Sequence, residues 1–571
     1  MHVGTCRFEL GSAAGAVQDA LADWQQNDKV RRLWNGDPAL WTGADEDRWL
    51  GWLHILDDRA PRSTRLMQSA HTIRDAGFQH VVVLGMGGSS LCPEVMSRTF
   101  GPVPGFPTLL VLDSTDPRQI RALDTRLDPA RTLFVVSSKS GGTTETNVFF
   151  AYFHARVLQA VGAARAATHF VAITDPGTTL EALAHRLQFR EILHGIPSIG
   201  GRYSALSDFG MAPAAWMGVD MHEFLGRAAR MAQASGPEVR AANNPGVGLG
   251  VALGVLGRGG RDKLTLVHSA AIAGLGAWIE QLVAESTGKH GIGLVPVDDE
   301  PLGPPSAYGR DRVFVATQLA GDSTHTPALA ALEAAGHPVV RITLQDKLDL
   351  GQEFLRWEIA TAVAGAVLGI HPFDQPDVEA SKVATRALTT AFERDGHLPA
   401  GTPLLRDGDI DLFADDADLT GRGGATPMLA SILAAHMLRL QPGDYFAILA
   451  YLPYDESIRR VLQALRLRVR DRGFATTLGF GPRFLHSTGQ LHKGGPGSGV
   501  FLQITAAATA SQDLPIPERP YGFGLLESFQ AAGDFSVLQE RRRRALRVHL
   551  NGDISSGLAR LSQILQQVLR G

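Results

Sequence analysis

Two cysteines, Cys6 and Cys92, are all that 571 residues contain. So few exclude a disulfide framework, and neither stands at a metal-ligand spacing. A surplus of one charge is missing too. The formal net charge of −4 leaves no broad basic surface for nucleic acid. No run of ~18 apolar residues offers a membrane span. No basic start followed by an apolar core marks a signal peptide. Also absent are the G-x-G-x-x-G spacing of dinucleotide folds and the G-K-[ST] ending of a P-loop. What remains is ordinary globular composition, 44% hydrophobic and 20% charged, rich in glycine and alanine. The length suffices for roughly two to four domains with full cores. A protein of a reducing, cytoplasmic compartment is expected.

Against that background one decapeptide stands out, SSKSGGTTET at 137–146. An apolar run, 132–136, leads into it, and an apolar helical pattern from Asn147 follows. A buried strand therefore ends in a loop of hydroxyl side chains that opens a helix. Free N–H groups and the positive dipole end at a helix start favour a dianionic phosphate. Most Ser/Thr/Gly loops are only turns; five hydroxyls and a lysine at a strand-to-helix junction favour a phosphate cradle. A second cradle candidate, GMGGSS at 85–90, follows the strand HVVVL at 80–84. Three glycines in four positions let backbone N–H groups approach a ligand.

The strands at 80–84, 108–112, 132–136 and 169–173 alternate with helical segments, and each ends in a polar loop. This pattern predicts a doubly wound parallel sheet, with ligands outside the carboxyl ends of its strands. Before it, 13–75 reads as helical. After it, strands at 263–268, 312–317 and 338–344 and helices at 271–286 and 351–369 form a second α/β unit, so that two sheets in tandem make a pseudo-repeat. Residues 396–424 read as a linker rich in Asp, Gly and Pro. Beyond it lie a strand at 444–452, a basic helix at 457–472, a strand at 474–479 and the loop HSTGQLHKGGPGSG. The basic run 541–544 reads as a solvated helix face.

Three further clusters could carry chemistry. In GGRYS at 200–204, two glycines allow the Arg202 guanidinium to lie in a cleft and stabilise an oxyanion. In WIEQLVAESTGKHG, Gln281 and Glu285 are four apart and share a helix face, with Glu285 near the helix end as a general-base candidate. In HPFDQPDVEASK, Gln375 and Lys382 are two turns apart. Each taken singly is more often an ordinary turn arginine, solvated glutamate or solvated lysine.

In order, GMGGSS, SKSGGTTET, GGRYS, the Gln281 to Lys289 segment and PFDQPDVEASK resemble the phosphoglucose isomerase family, built from two sugar-isomerase (SIS) domains. The five motifs span roughly 80–382. The segments RRLWNGDPALWTGADEDRWLGWL and GFGPRFLHSTGQLHKGGPGSGVFLQIT resemble a branch in which the isomerase is the C-terminal half of a transaldolase fusion; this chain looks like a stand-alone or truncated form. The resemblance implies an α/β fold of two SIS-type doubly wound parallel-sheet domains, 76–240 and 241–395. A helical segment, 1–75, precedes them and an α/β extension, 396–571, follows. It implies isomerisation of glucose 6-phosphate to fructose 6-phosphate through a cis-enediolate, with no metal or organic cofactor, and a homodimer. Ser138, Lys139, Ser140 and Thr143 match phosphate-binding positions, and Gly87, Gly88 and Ser89 the neighbouring cradle. Arg202 matches the enediolate-stabilising arginine, Glu285 the base, Gln281 and Gln375 positioning glutamines, and Lys382 a lysine of ring opening.

One position departs. The family carries a histidine between the glutamate and the lysine, given by the partner subunit, which protonates the ring oxygen. Here the matching stretch, 308–312, has none. His486 and His492 in the later loop are the candidates to replace it, though a structural role is as common for each. Two rivals stand beside the isomerase: a non-catalytic SIS-type sugar-phosphate-binding protein, which Glu285 and Arg202 oppose, and the isomerase domain of an amidotransferase, for which the short lead before Cys6 leaves no glutaminase.

Overall fold

The computed structural model describes residues 3–396, 401–414, 428–507 and 513–569. It begins with a strand where none was expected, β1 (Thr5–Glu9). Helices Ala14–Gln26, Lys29–Trp34 and Arg59–Asp75 and short 3-10 turns follow. Their tryptophans and leucines (Trp24, Leu33, Trp52, Leu53, Leu66) enter the largest apolar core.

The first sheet holds β2 (His80–Leu84), β3 (Thr108–Leu112), β4 (Thr132–Ser137), β5 (Phe170–Thr174) and β6 (Glu191–His194), all parallel, in the order β3-β2-β4-β5-β6. Every residue of β4 and β5 is buried, as both faces of a doubly wound sheet require. The second sheet holds β7 (Lys263–His268), β8 (Val295–Val297), β9 (Arg312–Leu319) and β10 (Val339–Leu344). With β1 its order is β8-β7-β9-β10-β1, the same winding as the first sheet. The fifth place is taken by β1, running antiparallel to β10 with Glu9 opposite Val339. In each sheet the strand order reverses between the first and third strands, β2 and β4 in one, β7 and β9 in the other. Such a switch point opens a crevice at the carboxyl ends.

A third sheet takes up β11 (Leu405–Asp407), β12 (Ile410–Phe413), β13 (Tyr445–Tyr451), β14 (Ala475–Phe480), β15 (Gly499–Ala506) and β16 (Arg544–Leu550), in the order β11-β12-β16-β15-β13-β14. Its four C-terminal strands are parallel, and β11 and β12 add an antiparallel edge. The segment read as a linker thus contributes two strands of this sheet; its stretches 397–400 and 415–424 lie outside the described residues. The loop HSTGQLHKGGPGSG contains a helix, Gly489–Gly494. The basic run at 541–544 is not a solvated helix face. It follows the end of helix Phe523–Glu540, where Arg541 pairs with Asp377, Arg543 donates to the carbonyls of Lys493 and Gly495, and Arg544 pairs with Asp444.

Helix Phe523–Glu540 joins the third sheet to the first. Phe523, Leu526 and Phe529 enter the first sheet's core, while Ala531, Phe535 and Leu538 enter the third sheet's. It is apolar on several sides, so its sequence shows no helical stripe. A fully buried pair, Arg312 with Glu300 at 2.9 Å, joins the second sheet to the third, where Thr476 also donates to Glu300. No helix among the described residues is long and apolar enough to cross a membrane.

Candidate functional site

The switch point of the first sheet brings together many of the expected residues, but not His492. The loop after β2 places Gly87 at φ 53°, a left-handed conformation suited to glycine. Gly88 meets the loop carrying Arg202 at such short range that a Cβ there would stand 2.0 Å from the carbonyl oxygen of Gly201. Ser89 is buried, and its carbonyl accepts from Ser137 Oγ at 3.3 Å. The loop after β4 folds so that Ser138 Oγ and Thr143 Oγ1 share a hydrogen bond of 2.9 Å. Thr143 is the N-cap of helix Thr144–Val161 but makes no side-chain cap bond. Ser140 is exposed at the rim, and the Lys139 ammonium turns to Asp175, leaving its backbone at the cradle.

Helix Leu275–Thr287 crosses this edge from the second sheet. Gln281 Nε2 donates to Glu285 Oε2 at 3.0 Å and to the carbonyl of His486 at 2.8 Å, while its Oε1 is buried without a partner. Arg202 is fully buried. Its Nε donates to Ser286 Oγ at 2.7 Å, Nη1 to Gln375 Oε1 at 2.9 Å, and Nη2 to the carbonyls of Pro372 and Asp374. That many donors spent on fixed acceptors hold one face of the guanidinium against Glu285 Oε1, 3.2 Å away. Lys289, which closes the Gln281 to Lys289 segment but had no expected role, clamps the same 371–374 turn, bonding the carbonyls of His371 and Asp374 and the Asp374 carboxylate. Burial, with Arg202 nearby, pulls its ammonium down to about 8.

His486 comes from the 3-10 turn Arg483–His486 of the third sheet's domain. Its Nε2 donates to Glu145 Oε1 at 3.0 Å. Gln530 from helix Phe523–Glu540 donates to the same oxygen at 2.6 Å, and Thr115 Oγ1 donates to Gln530 at 2.8 Å. Burial pushes the Glu145 carboxyl up, but His486, with Lys382 adding to it, outweighs this and holds it below the usual range. Lys382 itself is half-exposed on helix Val378–Asp395, 3.7 Å from Glu379. Glu145 stands in the phosphate-loop decapeptide but is not among the residues expected at the site. A carboxylate in the first turn after an anion cradle is electrostatically out of place unless a cation answers it, and that was the available signal.

His492 does not join the site. It is buried among Tyr445, Phe484 and Phe501 with neither ring nitrogen partnered, and burial drives its pKa down to about 3. It is a core residue on the separate short helix Gly489–Gly494, after the chain breaks from helical geometry at Ser487.

A family model described as phosphoglucose isomerase matches residues 68–294. A glucose-6-phosphate isomerase of Rubrobacter xylanophilus is 30% identical over 384 residues, covering 58% of this chain and 88% of that one. Two solved structures share the fold: a hypothetical protein from Thermus thermophilus (TM-score 0.57, 24% identity, 67% of this chain and 99% of that one) and a glucose-6-phosphate isomerase from Chlamydia trachomatis (TM-score 0.55, 20% identity, 68% and 89%). The architecture is thus of the phosphosugar-isomerase class, tandem doubly wound sheets with a cradle at a switch point. Within it the chain belongs to the phosphoglucose isomerase family, whose members are aldose–ketose isomerases.

Proposed function

We propose that the protein interconverts glucose 6-phosphate and fructose 6-phosphate through a cis-enediolate. The observation that carries this is the Glu285 carboxylate, held by Gln281 on one side and 3.2 Å from an immobilised Arg202 on the other, beside the glycine cradle. A proton alpha to a carbonyl leaves only if the enediolate is stabilised. One carboxylate, Glu285, takes it from C2 and returns it to C1. Arg202 is already desolvated and fixed by four other acceptors, so it meets the developing charge without reorganising. Ser138, Ser140, Thr143 and the backbone at Lys139, with the amides at 87–89, hold the phosphate and so position the reacting carbons. Gln281, with a free buried acceptor, and Gln375 orient hydroxyls.

Ring opening falls to His486, whose imidazole the Glu145 carboxylate orients. Lys382 stands on the same side, within electrostatic reach of Glu145. All these groups belong to one chain. The test is a coupled assay for glucose 6-phosphate formed from fructose 6-phosphate by the purified chain. Saturable turnover, lost in Glu285→Gln, supports the proposal. Binding of the sugar phosphate without turnover would mark a non-catalytic binder instead.

A further inference from the structure

The second sheet winds as the first does, so its own switch point, between β7 and β9, is the counterpart of the site described above. A cavity of about 440 Å³ opens there. His268 ends β7, His325 stands in the loop after β9 just before helix Thr326–Ala334, and Asp298 follows β8. The exchange between the halves is reciprocal. Helix Leu275–Thr287 of the second half gives Gln281 and Glu285 to the first site. Helix Leu91–Phe100 of the first half gives Glu94 and Arg98, also four apart, to this cavity. The third sheet's domain closes both: Arg483 lines the cavity and pairs with Glu94, while His486 faces Glu145.

The lining names its ligand. The loop after β9 is no phosphate cradle, because Asp322 already accepts from the backbone N–H of Thr324 at 2.9 Å and from Ser269. Two other carboxylates make no direct ion pair, although Arg98, Arg466 and Arg483 act on them from further off. Asp298 packs against the helix at Gly276, where a Cβ would fall 1.8 Å from its Oδ1, and Glu280 lies one turn further along that face. By contrast Glu300 has Arg312, Asp299 has Arg459, and Glu94 has Arg483. His268 lines the same cavity with both ring nitrogens enclosed and unpartnered, ready to meet hydroxyls. Among the described residues no three such side chains converge as a metal ion requires. The volume suits a monosaccharide-sized molecule.

We propose that this cavity is a second small-molecule site, taking a hydroxyl-bearing primary amine of monosaccharide size, its ammonium between Glu280 and Asp298 and its hydroxyls toward His268. Burial, with Asp298 and Asp299 adding to it and outweighing the more distant Arg466 and Arg483, pushes the Glu280 carboxyl up to about 8; burial and Asp299, against Arg466 and Arg98, push that of Asp298 up to about 7. An ammonium between them supplies the direct ion pair that neither carboxylate has.

Isothermal titration of the full chain with glucosamine tests it, with glucose and magnesium chloride as comparators. The expected result is one saturable glucosamine site, with glucose and magnesium bound at least tenfold more weakly. Glu280→Gln and Ala277→Phe, the second filling the cavity, should each weaken glucosamine at least tenfold. Glu280→Gln keeps the size of the side chain and breaks no direct ion pair, so the chain folds as before. No glucosamine binding overturns the proposal. So does glucose or magnesium binding as tightly, or an affinity within twofold of wild type in both variants.

Discussion

Nε2 of His486 lies 3.0 Å from Oε1 of Glu145, although 341 positions separate the two in sequence. A loop of the third sheet's domain thereby reaches the phosphate-loop helix of the first sheet. If His486 protonates the ring oxygen, His486→Ala should lower turnover of cyclic substrate by about 10²-fold or more while sparing open-chain substrate. His492→Phe should stay within twofold of wild type on both. Equal losses on the two substrate forms in His486→Ala, measured by rapid mixing with pre-opened sugar, would remove the ring-opening role.

Glu285→Gln preserves size and the bond from Gln281 but cannot take a proton. Turnover should fall by about 10³-fold, within the range general bases contribute, while fructose 6-phosphate binding, read by titration, changes only a few-fold. A variant that turns over normally would free Glu285 of the base role.

Thr143 stands at a helix N-cap without capping it, so Thr143→Ala should not exact the usual ~1 kcal/mol of a lost cap. Its bond is to Ser138 at the cradle. The expected outcome is a KM raised about tenfold for sugar phosphate at nearly unchanged melting temperature. A lowered melting temperature with unchanged KM would make the threonine structural.

Gly88→Ala tests the contact between the two loops. With a carbonyl 2.0 Å from the new Cβ, and backbone on both sides, something must shift. The loop bearing Arg202 is the movable partner, so kcat should drop at least tenfold, checked by steady-state kinetics beside a melting curve.

Acid should weaken the fold through His492. Its folded pKa of about 3 lies below the unfolded 6.5, so the unfolded chain binds the extra proton between those values. Its stabilising share is complete above pH 6.5 and is lost as pH falls toward 3, at about 1.4 kcal/mol per pH unit. His492→Phe should therefore lose roughly 2 kcal/mol less than wild type between about pH 6.5 and 5, measured by urea unfolding at each pH.

Most of the first two sheets was legible because their strands are short apolar runs ending in polar loops, as at 80–84 and 132–136. The hydroxyl- and glycine-rich loops at the strand ends and the shared Gln281–Glu285 helix face followed from local spacing. What escaped has non-local causes. β1 is a half-exposed edge strand whose partner lies far along the chain. β11 and β12 are short and sit in a polar stretch. Helix Phe523–Glu540 is buried on several sides and has no stripe. A loop that offered both His486 and His492 could not show that one faces Glu145 while the other is buried among aromatic rings. Gln530 carries no motif, and only the docking of its helix brings it to Glu145.

The antiparallel place of β1 in the second sheet has a consequence for the order of events as the chain is made. Glu9 leaves the ribosome long before Val339, its partner. At ~10 residues per second the interval is on the order of half a minute. Gln352 and Arg356, which fasten Gly4 by its N–H and carbonyl, arrive later still. Over that interval the first sheet can close on its own strands, while the second stays one strand short. Its open edge would be a place for early misassociation, and residues 4–9, made long before their partners, are among the last to be secured.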